Sequence, residues 1–133
     1  MMPNIVAVYA AALALMFFVL SARVMRLRRA KRIAIGSGSD ARLERAIRVH
    51  ANFSEYVPLT LLLLAFVEMQ GRPAWFIHLL ALALIAGRVI HACGVSQEKE
   101  VIPMRTIGMV ATFGVLIASS MLLLGDALRA ALG

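Results

Sequence analysis

In the stretch LERAIRVHANFSEYVPL, residues 43–59, Arg45, Arg48, Asn52 and Glu55 recur at intervals of three and four, with Tyr56 beside them. On a helix turning about 100° per residue, these four fall with Leu59 on one narrow arc, and Tyr56 sits at its edge. Two guanidiniums, a carboxamide, a carboxylate and a phenol on one face can hold a small polar molecule. The guanidiniums fork onto carboxylates, the carboxylate receives an ammonium, and the amide bonds either a donor or an acceptor. A plainer reading of Glu55 also exists: it pairs with Arg48 or with a cation on a neighbouring helix and fastens the fold.

The elements that carry this face are set by composition. The chain has 133 residues, 62% of them hydrophobic, and a mean hydropathy of +0.86, which excludes an ordinary soluble domain of this length. Residues 5–22 and 106–125 carry no charge, and each run is long enough to cross a bilayer as a helix. Residues 56–67 and 73–87 are also uncharged but shorter. Extending them to spanning length draws Glu55 into the second helix and Arg88 and His91 into the third. Helices are expected for all four, because a backbone facing lipid must satisfy its own hydrogen bonds. The predicted spans are 3–25, 45–69, 74–95 and 104–126, forming one all-α transmembrane four-helix bundle over residues 1–133, without internal repeat. Gly71 and Pro73 make a tight link between the second and third helices. The basic connection before the second helix has a Gly/Ser patch at 36–39 and ends on Asp40 as N-cap.

Of fourteen Lys and Arg, nine lie between Arg23 and Arg48; Arg88, Lys99 and Arg105 fall toward the same end, and only Arg72 and Arg129 flank the other. This asymmetry places the Arg-rich loop in the cytosol and both termini outside. The first segment lacks a basic leader and has its charges after the apolar run, so it is expected to stay as an anchor. The net charge of +7 reads as a topogenic signal lying against membrane lipid headgroups, not as a nucleic-acid surface. Cys93, the single cysteine, reads as a small packing residue beside Ala92 and Gly94. Three scattered histidines without acidic or cysteine companions predict no metal site.

A polar arc within the membrane cannot face lipid, since each charge there costs at least about 2.5 kcal/mol. Arg45, Arg48, Arg88 and Arg105, together with Arg23, outnumber the one carboxylate at this membrane face. The excess calls for an anion, which a ligand bearing carboxylates would supply. Arg88 is read equally as a structural partner of Glu55. Gly108 with Thr112, Gly114 with Ala118, and Ala83 with Gly87 have the four-residue spacing that lets helices approach closely.

The second-helix motif, with Arg, Asn, Glu-Tyr and Pro at this spacing, strongly resembles the signature of the MAPEG family, the membrane-associated proteins of eicosanoid and glutathione metabolism. SAR at 21–23 closes the first helix as in that family, and GRVIHACGVSQ at 87–97 looks like the third-helix end of its short bacterial members. The resemblance implies a homotrimer in the bacterial inner membrane, binding glutathione as co-substrate between adjacent subunits near the cytosolic surface. Arg48, Asn52, Glu55 and Tyr56 match the family's glutathione contacts. Arg23 matches an arginine ending the first helix, and Arg105, after an alignment shift, matches the arginine that opens the fourth and stabilises the thiolate. His91 and Val95 stand where family enzymes often have tyrosines; His91 either donates a hydrogen bond in place of one or is structural. The implied activity is that of a glutathione transferase or peroxidase acting on a hydrophobic small molecule or lipid hydroperoxide. The alternatives are a non-enzymatic lipid-binding scaffold, which has no need of a thiolate partner, and a small transporter subunit, in which broken mid-membrane helices are expected.

Overall fold

The computed structural model describes residues 2–99 and 101–133. Their regular structure is four helices: α1 (Asn4–Lys31), α2 (Ala41–Met69), α3 (Ala74–Ser96) and α4 (Ile102–Leu132). All four are long and apolar enough to cross a membrane. With 28, 29 and 31 residues, α1, α2 and α4 measure about 42–46 Å, beyond the ~30 Å of hydrocarbon. They run past the predicted spans because the added ends, such as the Arg/Ala/Lys run closing α1 and the Ala/Leu/Arg run closing α4, are good helix formers with no breaker among them.

The basic connection is ordered by its own contacts. Arg32 turns the chain out of α1 with a left-handed φ of 56°. The Arg28 guanidinium donates to the carbonyls of Ala34 (3.1 Å) and Gly36 (2.9 Å). Asp40 caps α2 as its residue type predicts, accepting from the Leu43 N–H at 2.8 Å, and Lys31 reaches its other oxygen at 2.8 Å. The Lys31 ammonium, and after it the Leu43 N–H, hold the Asp40 carboxyl below the usual carboxylate range. Its stabilisation is thus present above the unfolded carboxyl pKa and lost as pH falls through the lower folded value.

α2 and α3 form the centre of the bundle; α1 and α4 each pack on both and do not touch one another. α1 buries only Val6, Leu13 and Leu20, spaced seven residues apart, leaving Val8, Leu15, Phe18 and Val19 exposed on the outside of the chain. Apolar burial drives little association in lipid, so close approach and polar contacts matter more. The α3–α4 crossing shows this. A Cβ added at Gly108 would lie 2.5 Å from the Gly87 carbonyl oxygen and 2.6 Å from the His91 Cβ; one at Gly94 would lie 2.8 Å from the Met104 Cβ. Gly87 and Gly108 are therefore consumed within the chain, whereas Gly114 meets nothing and lies outside.

At the end away from the basic loop, α1 starts on Pro3 without a side-chain cap of its own. Glu68, buried near the end of α2, takes that role by accepting from the N–H groups of Ile5 (2.7 Å) and Val6 (2.8 Å). Arg72 in the α2–α3 link pairs with Asp126 on α4. Tyr9 and His78 share a 2.8 Å hydrogen bond between α1 and α3.

Candidate functional site

The core-facing stripe of α2 runs through Ala46, Val49, Phe53, Val57, Thr60 and Leu64. Asn52 lies at the edge of this stripe, and Arg48 and Glu55 lie farther round, both exposed. The polar arc read from the sequence therefore straddles the boundary of the bundle: one edge turns toward α3 and α4, the other away from the chain. Where it turns inward, a cavity of about 200 Å³ opens at the basic end, lined by Glu44, Arg45, Arg48 and Asn52 from α2, His91 and Val95 from α3, and Arg105 from α4.

Arg45, Arg48, Asn52, His91 and Arg105, all singled out from the sequence, thus share one cavity. Arg23, Tyr56 and Glu55 lie elsewhere in the single chain. Arg23 donates to the Ser96 Oγ at 2.5 Å and ties the end of α1 to the end of α3. Tyr56 is half-buried, edge-on to Phe113 with ring centroids 5.2 Å apart. Glu55 points almost directly away from the buried stripe, and no ion pair or hydrogen bond joins it to another described residue.

Arg88 is not the partner of Glu55: the α3 register aims it at Asn52, one turn before Glu55 and nearer the core on the same arc of α2, and toward α4. It is 1% exposed, and its Nη2 donates to the Asn52 Oδ1 at 2.7 Å. Its Nη1 lies 3.4 Å from the Thr112 Oγ1 and 3.9 Å from the Met109 Sδ, while Thr112 donates onward to the Gly108 carbonyl at 2.8 Å. Cys93 is exposed and not packed, since it falls on the outer face of α3 opposite the stripe that buries Leu84, Arg88 and His91. His91 is buried, with its backbone against Gly108, so the glycine crossing fixes where its ring enters the cavity.

Sequence reasoning passed over Glu44 and the capping carboxylate of Glu68, and read Thr112 only as a small residue at a close helix approach. Only Glu68 left a signal: α1 begins without Ser, Thr, Asp or Asn at its N-cap, so its first N–H groups need an acceptor from another element.

Among the described residues the cavity wall brings the guanidiniums of Arg45, Arg48 and Arg105 together with the carboxylate of Glu44. The chemistry of such a wall suits an anion, and the Asn52 amide and buried His91 add polar groups beside it. Residues 6–125 match the model of the MAPEG family, a range that contains the whole cavity and all but the last turns of α4. The inner membrane protein YecN of Escherichia coli K12 is 38% identical over 111 residues, covering 84% of this chain and 83% of its own; YecN of E. coli O6:H1 matches to the same extent. With the four-helix architecture, the arginine-lined cavity and a match over most of its length, the chain belongs to the MAPEG family.

Proposed function

We propose that this chain is an integral inner-membrane glutathione transferase or peroxidase, with its basic loop in the cytosol and both termini outside. The observation that carries the reading is the cavity wall, where Arg45, Arg48 and Arg105 face one Glu44 beside Asn52 and His91. Glutathione has two carboxylates, an ammonium and a thiol. Arg48 forks onto a carboxylate, and Asn52 bonds the peptide portion. Glu55 and Tyr56 do not line the cavity of their own chain. In a homotrimer they are covered by a neighbouring copy, and Glu55 receives the ammonium across that boundary. The second substrate, a hydrophobic electrophile or lipid hydroperoxide, arrives laterally from the bilayer.

Arg105, in the first turn of α4, is the residue assigned to the sulfur. A thiol of pKa ~8.5 is mostly protonated at neutral pH, and only the thiolate is nucleophilic. A guanidinium in a partly dehydrated cleft, joined by the positive end of α4, favours the charged form. One unit of depression requires only about 1.4 kcal/mol. Glutathione titrated into the protein in detergent is therefore expected to show the thiolate ultraviolet band at neutral pH. Arg105→Ala removes the band and conjugation activity while most affinity remains. A variant with full activity and an intact band would overturn the assignment of Arg105. A second reading, a lipid-binding scaffold, is favoured by Val95, which gives the cavity an apolar wall where family enzymes often have a hydroxyl. Binding without any thiolate band would establish that reading over the enzyme.

A further inference from the structure

Arg88 is a buried cation inside a spanning helix, and among the described residues no carboxylate pairs with it. Its acceptors are all neutral: the Asn52 amide oxygen at 2.7 Å, the Thr112 hydroxyl and the Met109 sulfur. If the purpose were only to tie α2 to α3 and α4, a neutral donor would serve at far lower desolvation cost. The position of Asn52 explains what a guanidinium does that a neutral group would not, because Asn52 lines the cavity while Arg88 lies behind it.

A carboxamide has two faces, an acceptor oxygen and a donor NH2, and an unrestrained Asn can present either to a ligand. A guanidinium has five N–H donors and no acceptor, so the Asn52 atom facing Arg88 at 2.7 Å must be the oxygen. The NH2 is then left for the cavity. The charge on Arg88 also polarises the amide through its oxygen, which strengthens the N–H as a donor. We propose that Arg88 is a positioning residue that locks Asn52 with its oxygen inward and its NH2 toward the cavity, so that the site takes a ligand carbonyl or carboxylate oxygen at this point and rejects a ligand N–H. Together with Arg45, Arg48 and Arg105, Asn52 then extends a run of donors along the wall. The ligand class that fits is an anion whose oxygen-bearing edge lies along α2. The identity of that ligand as glutathione rests on the proposed function; the lock itself does not.

Two measurements test the lock. The first is equilibrium binding of glutathione to the detergent-solubilised protein and to the variants Arg88→Met, Asn52→Ala, their double, and Asn52→Asp. Each single truncation is expected to weaken binding about tenfold, near the upper end for one hydrogen bond to an uncharged group. The double variant is expected to bind no worse than Asn52→Ala alone, because Arg88 acts through Asn52. Asn52→Asp, which offers the ligand oxygens only an acceptor, is expected to lose at least about tenfold. Parental affinity in Arg88→Met, or losses that multiply in the double, would overturn the proposal. Arg88→Lys keeps a charged donor toward Asn52 and is expected to bind better than Arg88→Met; if the Met variant does not fold, Arg88→Gln, a neutral amide that can face Asn52 with either atom, takes its place with the same expected loss.

The second measurement is the midpoint of thermal unfolding, which needs no ligand. In the parent, Asn52→Asp creates a carboxylate beside Arg88 and is expected to leave the midpoint equal or raised. In the Arg88→Met background the same carboxylate has lost its nearest guanidinium and keeps only the cavity arginines, so the change is expected to shift the midpoint less favourably than in the parent. Equal shifts in the two backgrounds would overturn the lock. If the parent binds no glutathione, the proposed function falls, and the thermal coupling decides the Arg88–Asn52 pairing by itself.

Discussion

At the scale of the residue, Glu55 carries the most information. Its spacing from Arg48 and Asn52 was legible, because positions three and four apart must share a helix arc. Which way that arc faces was not, since it depends on where the other helices lie. The structure turns Asn52 inward and Glu55 nearly opposite the buried stripe, so the arc divides between this chain's own cavity and its outer surface. Arg88 shows the same limit from the other side: a buried arginine reads as half of an ion pair, yet its partner is an amide 36 positions away, chosen by the α2–α3 register. If Glu55 and Arg48 grip opposite charges of one ligand, Glu55→Gln and Arg48→Ala each weaken glutathione binding by about 1.5–3 kcal/mol, the range for hydrogen bonds to charged groups. Isothermal titration checks this, and unchanged affinity in Glu55→Gln would remove that carboxylate from the binding site.

At the scale of the element, the existence of four helices followed from apolar runs that only helices can carry through lipid. Their ends did not, because the flanking Arg, Ala and Leu residues continue a helix as readily as they leave it. The small-residue spacings pointed to close packing without saying between which helices. Gly87 and Gly108 are spent on the α3–α4 crossing, which brings His91 and Arg105 to the wall of one cavity. Gly108→Ala forces a methyl into the Gly87 carbonyl and the His91 backbone, and overpacking of this kind costs about 1–3 kcal/mol. Thermal unfolding in detergent is expected to register that loss, and glutathione affinity should fall with it as His91 and Arg105 are pushed apart. Gly114→Ala, whose added Cβ meets nothing within 4 Å in the chain, is the matched control. A Gly108→Ala protein as stable as this control would mean that the crossing relaxes without strain and does not fix the cavity.

At the scale of the whole molecule, the single chain is electrostatically incomplete. It exposes Glu55 on the outer face of a spanning helix, where a lipid-facing charge costs at least about 2.5 kcal/mol, and it leaves α1 and α4 on opposite flanks without contact. Among the described residues the cavity wall carries three guanidiniums and one carboxylate, a surface suited to an acid from a neighbour. A ring of copies resolves both conditions at once when the Glu55 face of one chain closes over the cavity of the next, because such a head-to-tail contact closes under rotational symmetry. Three copies is the count carried by the family resemblance, and mass measurement of the protein in detergent is expected to return a trimer. Because a shared site couples assembly to binding, glutathione should also shift dissociation of the trimer to lower protein concentration, and Glu55→Gln should weaken that shift along with affinity. A stable monomer that binds glutathione as tightly as the assembled protein would show the site to be complete within one chain, leaving Glu55 facing lipid and the three-guanidinium wall to hold its ligand alone.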